Sequence, residues 1–291
     1  SMAIFIESEI WPNMITNIKK KSIPLILLNA RITKKSYVKW KNISSLSKIL
    51  FRNFDICLSQ NQESKKYLKH LGAKKIKFIG NLKFSESKNQ KKTDIKDNLK
   101  KIFKSKRIWC AASTHNNEEK ICALAHKRLK NKYKNLLTII IPRHVQRTRD
   151  IINEISSLKL KVQTRSSNNM IKKNTDIYLV DTYGESKSFY RVCKIVFLGG
   201  SIINHGGQNP LEPVRFGCKV LHGPHVHNFM EVYKLLTKNN LSSKFNNIDQ
   251  LVYLINKSFA KKTNFKSRVA EIKKTGSKIL NKTLSEINLY L

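Results

Sequence analysis

Apolar runs of strand length alternate with amphipathic stretches of helix length along almost the whole 291-residue chain, a pattern that confines it to an α/β fold. Strands are expected at residues 3–7, 24–30, 55–59 and 77–80, with helices over 12–19, 37–51 and 62–71. A polar Lys/Asn/Ser-rich stretch at 85–92 reads as a linker. Beyond it, strands are expected at 108–112, 136–141, 176–180, 195–198 and 219–221, and a long closing helix follows. Crossovers this short suit βαβ units and a doubly wound parallel sheet. The first half offers about four strands against about six in a complete doubly wound domain, so it reads as incomplete. The expected organisation is a partial domain at 1–88, a ligand-binding domain at 89–265 and a closing helix at 266–291.

With 40% hydrophobic residues the chain can bury a substantial core. Its longest apolar runs fall well short of the ~20 residues a membrane-spanning helix requires. The first residues lack the basic region, long apolar region and cleavage site of a secretory signal, which points to a cytoplasmic protein. Five scattered cysteines without a Cys-x-x-Cys pair read as small buried hydrophobes, with neither a disulfide framework nor a zinc site. The 57 Lys and Arg against 19 Asp and Glu give a net charge of +38, which draws a chain to polyanions, whether nucleic acid or an anionic membrane. Joint enrichment in Lys, Asn and Ile, as an AT-rich genome produces, is the competing explanation.

The segment IVFLGGSIINHGGQNPLEP at 195–213 carries the most chemistry. A buried strand runs into Gly199, Gly200 and Ser201, and a second glycine pair leads to a helix expected near Asn209. Glycines after a strand let backbone approach a phosphate, and the first amides of a helix supply oriented donors. This predicts an anion site. Glu212 falls in the first helical turn, where it can cap the helix or accept the hydroxyls of a ribose beside the phosphate donors. Glu7 and Glu9 flank Ser8 at a strand end, where alternation sends both carboxylates to one face. His144, His205 and His225 match no metal-ligand spacing and read as polar site or loop residues.

Seven separated motifs, in order, resemble those of 3-deoxy-manno-octulosonic acid (Kdo) transferases. They are IESEIWPN (6–13), NARIT (29–33), GNLKF (80–84), AASTH (111–115), PRH (142–144), DTYGE (181–185), and 199–213 followed by Gly223, Pro224, His225, Asn228 and Phe229. The resemblance covers nearly the whole chain. It implies two Rossmann-like domains of the glycosyltransferase B architecture, the first incomplete, with the nucleotide held by the C-terminal one. It also implies inverting transfer of Kdo from CMP-Kdo to a lipid A precursor at the anionic inner-membrane surface, with the protein peripheral to that membrane and with no metal or cofactor.

Carried onto this chain, the family pattern sets Arg143 and Gly184 against the cytosine, with Glu185 beside them, and Glu212 on the ribose. Ser201, Asn209 and the Gly199–Gly200 amides would receive the leaving phosphate, faced by Ser113 and Thr114. Lys83 is one candidate for the Kdo carboxylate, against a plain solvated lysine, and Arg31 is a second. Glu9 is expected to support catalysis by orienting sugar or acceptor, with Trp11 packing nearby.

Two departures accompany the resemblance. Family members carry a segment before IESEIWPN with a membrane-associating terminus, a Gly-rich turn and the glutamate proposed as general base, so this chain is expected to lack the base, bind CMP and transfer poorly. Tyr183 stands where methionine is typical. The competing readings are a UDP-sugar transferase or epimerase of the same architecture, and a basic nucleic-acid-binding protein, which has only charge in its favour and no interleaved stacking aromatics. A sheet edge exposed at residues 3–7 would invite self-association.

Overall fold

In a computed structural model, residues 1–85, 95, 97–167, 171–260 and 266–291 are described. The chain divides into two compact units, one of Ser1–Asn89 and Ala270–Leu291, the other of Gln90–Val269. The linker expected at 85–92 lies, Ser85 apart, outside the described residues, as do the expected boundaries at 88/89 and 265/266.

The first unit holds a four-stranded parallel sheet in the order β1 (Ala3–Ile6), β2 (Leu25–Ala30), β3 (Ile56–Ser59), β4 (Ile76–Phe78). Its helices are α1 (Pro12–Lys20), α2 (Lys34–Asn42), α3 (Ser44–Arg52) and α4 (Gln62–His70). All of β3 is buried, as a central parallel strand covered on both faces must be. In β1, Phe5 is buried while Ile4 and Ile6 are exposed, so the edge strand shows alternation instead. Where one helix over 37–51 was expected, two meet at Ile43 (φ −116°, ψ 51°). Asn42, Ser44 and Ser45 favour local turns over helix interior, and Ile43 is exposed, so no packing opposes the break.

The second unit holds seven parallel strands: β5 (Arg107–Thr114), β6 (Leu136–Pro142), β7 (Val162–Thr164), β8 (Ile177–Leu179), β9 (Ile195–Leu198), β10 (Lys219–His222) and β11 (Ser242–Lys244). Their order is β11-β10-β9-β5-β6-β8-β7. With them go the helices α5 (Asp97–Ser105), α6 (Glu118–Lys132), α7 (Thr148–Ser157), α8 (Ser186–Val192), α9 (Leu211–Arg215), α10 (Met230–Lys238) and α11 (Ile248–Ala260), the first preceding β5 and the last following β11. The final helix, α12 (Lys266–Ile287), belongs from Ala270 onward with the first unit. β7 and β11 were not expected, and each is a three-residue edge strand too short and polar to announce itself. The chain leaves β5 for β6 on one side, while β9 pairs with β5 on the other. β5 and β9 therefore form the switch point, outside whose carboxyl ends open α/β sheets bind ligands.

Candidate functional site

AASTH ends β5 and the glycine loop follows β9, so the switch point sets the two motifs side by side. Gly199 N donates to Ala112 O at 2.9 Å. A Cβ on Gly199 would lie 2.4 Å from Ser113 O, so only glycine lets the two chains close. Ser113 itself takes a left-handed conformation (φ 55°) and turns the chain toward α6.

The first turn of α6 places Glu118, fully buried, inside this junction. Its carboxylate accepts N–H groups from His115 (3.0 Å), Gly200 (2.7 Å), Ser201 (3.1 Å) and Ile202 (3.0 Å). The amides expected to receive a phosphate after β9 thus already hold an internal anion. Ser201 departs from expectation in the same way: its buried Oγ donates to Leu198 O (2.6 Å) and accepts from Gly223 N (2.9 Å), fastening the loops after β9 and β10. Asn209 Oδ1 accepts Leu211 N (3.1 Å) just ahead of α9, which starts two residues later than expected. Glu212 stays in its first turn, half-buried, with Lys187 Nζ at 3.7 Å. An ion pair that long and open to solvent holds Glu212 only weakly.

Polar groups without internal partners lie beside the Glu118 knot. Thr114 Oγ1 and His115 Nε2 are both buried and unpartnered. Pairing of Thr114 with Pro142 brings PRH to the same strand ends, and Arg143 N donates to Thr114 O (2.9 Å) while the Arg143 side chain is exposed. The His115 ring centroid lies 4.5 Å from that of His205 and 5.7 Å from that of His144. Burial first, then the neighbouring His205 and His144, lowers the His115 pKa to about 4, with Glu119 opposing. Among the described residues no group of three or more His, Cys, Asp or Glu is arranged to hold a metal ion.

DTYGE follows β8. Glu185 makes a two-pronged ion pair with Arg165 (Nη2 3.0 Å, Nε 3.1 Å) and accepts the Thr182 hydroxyl. Burial would raise its pKa, but these hydrogen bonds win and lower it. Gly184 is exposed, with nothing within 4 Å of where a Cβ would stand, and the Tyr183 hydroxyl accepts Gln146 Nε2 (3.0 Å). Glu118, Glu119 and their partners leave no mark in the sequence beyond two acids opening a helix. Glu119, fully buried, binds Arg147 through both oxygens (2.9 and 3.2 Å).

In the first unit, β1 stops at Ile6 and Glu7 turns left-handed (φ 58°), which corrects the expectation that Glu7 and Glu9 share a face. Glu7 Oε1 pairs with Lys83 Nζ (2.8 Å) and lies 3.4 Å from Asn29 Nδ2, while Asn29 Oδ1 accepts Leu82 N (3.0 Å). Lys83 is therefore already neutralised by a carboxylate, unlike a lone counter-ion for a sugar acid. Arg31, half-buried, donates its backbone N–H to Glu7 O (3.1 Å). Glu9 is exposed and accepts Trp11 Nε1 (3.0 Å), and Trp11 is exposed as well, where packing was expected.

Residues 1–86 match the family described as 3-deoxy-D-manno-octulosonic-acid transferase (kdotransferase). The 3-deoxy-D-manno-octulosonic acid transferase of Haemophilus influenzae is 34% identical over 240 residues, covering 81% of this chain and 56% of that protein. That of Rickettsia conorii is 30% identical over 295 residues, covering 100% of this chain and 63% of that protein. This chain thus spans less than two thirds of both relatives. The C-terminal CMP-Kdo binding domain of WaaA from Acinetobacter baumannii superposes with a TM-score of 0.53 at 24% identity, over 63% of this chain and 98% of that domain. Anabaena HepE, in complex with UDP and glucose, gives 0.53 at 11% identity over 96% of this chain and 75% of its own. The parallel α/β form of both units is that of the glycosyltransferase B architecture. Seven motifs in order, a family match over the first 86 residues and relatives aligned along the chain agree: the chain is similar over its length to 3-deoxy-D-manno-octulosonic acid transferases.

Proposed function

We propose that this chain holds the nucleotide of CMP-Kdo in its second unit and serves inverting transfer of Kdo to a lipid A precursor. The observation that carries this is the convergence of AASTH, PRH and the glycine loop at the carboxyl ends of β5, β6 and β9. The likeness to a domain known to bind CMP-Kdo supports the choice of nucleotide. In this reading cytosine lies against Arg143 and Gly184, with Glu185 stiffening that loop through Arg165, and Glu212 takes the ribose. Ser113 and Thr114 face the phosphate. As the bond from anomeric carbon to phosphate oxygen breaks, charge grows on the phosphate, and donors fixed in advance stabilise it most where water is excluded. Ser201 and Asn209 act at one remove, by locking the loops that carry these groups. Glu9, Arg31 and the Glu7-paired Lys83 are assigned to the sugar or acceptor, and the general base is assigned to none of the residues named here. A thermal-shift comparison of CMP with UMP, UDP and ADP tests the reading, and preference for a diphosphate would favour a UDP-sugar enzyme instead.

The first unit also supports docking on an anionic inner membrane. No helix among the described residues is long and apolar enough to cross a membrane. On α2, α3 and their junction, Val38, Ile43, Leu46 and Ile49 are exposed among Lys34, Lys35, Lys39, Lys41, Lys48 and Arg52, all exposed. Apolar side chains that enter the interface and lysines that meet lipid phosphate form the usual pairing of a peripheral membrane surface. The outer edge of β1, with Ile4 and Ile6 exposed, supports self-association.

A further inference from the structure

His115 has no assigned role, and its surroundings are unusual for a histidine. Its backbone N–H is fixed by Glu118 at 3.0 Å, and its ring lies over the bare backbone of Gly200. A Cβ on Gly200 would stand 3.3 Å from His115 Nε2 and 3.2 Å from His205 Cδ2, so both imidazoles rest where a side chain would be. His115 is only 8% exposed, and its Nε2 has no hydrogen-bond partner. The adjoining Thr114 Oγ1, 0% exposed, has none either. Two neighbouring polar atoms left buried and unpaired at a switch point are the kind of defect a ligand repairs.

The charges that face His115 define the ligand. His205 approaches from the loop after β9, His144 and Arg143 from the end of β6, and Glu119 from α6. Glu119 is tied to Arg147, and the charge of Glu118 is taken up by four amides. What remains is a cluster of imidazoles beside a guanidinium, which suits an anion. We propose that His115 Nε2, as the N–H of a neutral imidazole, donates to a phosphate oxygen of the bound nucleotide, with Thr114 Oγ1 as its neighbour. This rests on the reading that the second unit holds a cytidine monophosphate group.

A neutral donor fits the chemistry. When the glycosidic bond to phosphate breaks, the electron pair stays on the phosphate oxygen and the acceptor hydroxyl forms the new bond, losing its proton to a base elsewhere. His115 keeps its proton throughout and stabilises the growing charge by hydrogen bonding alone. The burial and crowding that lower its pKa keep it in this form at neutral pH.

The test compares CMP with cytidine, which lacks the phosphate, by calorimetry on the intact chain. Wild type is expected to bind CMP more tightly than cytidine. In His115→Leu, CMP affinity should fall by about 10- to 100-fold, the effect of losing a hydrogen bond to a charged group, while cytidine affinity stays within about twofold. His115→Gln, which offers an amide N–H near the Nε2 position, should recover most of the loss. Histidine ¹⁵N spectra of wild type, which need no variant to fold, should show the His115 Nε2 signal moving with CMP and not with cytidine. An unmoved Nε2 signal at saturating CMP, or an unchanged CMP-to-cytidine ratio in His115→Leu, would overturn the assignment. Equal binding of CMP and cytidine to wild type would also overturn it while leaving the nucleoside site intact, whereas no binding of either would remove the nucleotide reading itself.

Discussion

Glu118 and Gly200 are separated by 82 residues in sequence, yet the Glu118 carboxylate accepts the Gly200 N–H at 2.7 Å. That bond and its three companions tie the start of α6 to the loop after β9, so the switch-point loops are held as one piece. An internal carboxylate occupies the amides that a phosphate would otherwise take, so the proposed ligand contacts fall to the side chains around it.

Glu118→Gln should therefore cost more than a buried isostere usually does. Its amide NH₂ faces donors where a carboxylate oxygen stood, and at least two charge-assisted bonds are lost at up to about 1.5–3 kcal/mol each. Urea unfolding should show a loss of about 3 kcal/mol or more, with CMP affinity reduced alongside. Unchanged stability would mean that the carboxylate does not organise the loop.

Gly199→Ala should be similarly severe. The new methyl would sit 2.4 Å from Ser113 O and 2.6 Å from Thr114 Cα, backbone atoms that cannot step aside. A destabilisation of about 2 kcal/mol or more is expected from thermal or urea melts, well beyond a surface substitution.

Acid should weaken the second unit before its carboxylates titrate. His115 and His222 both have pKa values lowered to about 4, burial being the main cause in each. In the unfolded chain they titrate near 6.5, so between about pH 6.5 and 4 the unfolded state binds more protons and stability falls with pH. Above about 6.5 both states are neutral and the contribution is fully present. Urea midpoints at pH 7.5, 6.0 and 5.0 should decline, and His222→Gln should flatten the decline. A midpoint independent of pH over that range would contradict the burial argument.

Sedimentation with vesicles tests the basic apolar surface of α2 and α3. Vesicles containing anionic lipid should take up the chain, neutral vesicles much less, and raising salt should weaken uptake by screening. Replacing Leu46 and Ile49 by Ser should reduce binding at constant charge. Equal binding to neutral vesicles would remove the electrostatic part of this reading.

The sequence made the strand centres plain because a parallel strand covered on both faces reads as an unbroken apolar run, as in LLTIIIP of β6. It also brought three of the singled-out motifs to one place, since AASTH, PRH and the glycine loop all end strands. What it hid is long-range pairing. Nothing local tells that Glu118 reaches residues 200–202, or that Ser201 serves the loop after β10. Glu7 and Glu9 misled because alternation holds only while the backbone stays extended, and the strand ends one residue too soon. The break at Ile43 was invisible for the opposite reason: no Gly or Pro marks it, only turn-forming neighbours on an exposed junction.

The central claim is a ribonucleoside monophosphate gripped beside α9, and a calorimetric titration with CMP and 2′-deoxy-CMP on wild type and Glu212→Ala tests it most directly. Wild type should bind CMP and discriminate against the deoxy form, while Glu212→Ala should lose about tenfold in CMP affinity and most of that discrimination. No heat with CMP, or a Glu212→Ala variant indistinguishable from wild type with both nucleotides, would contradict the account.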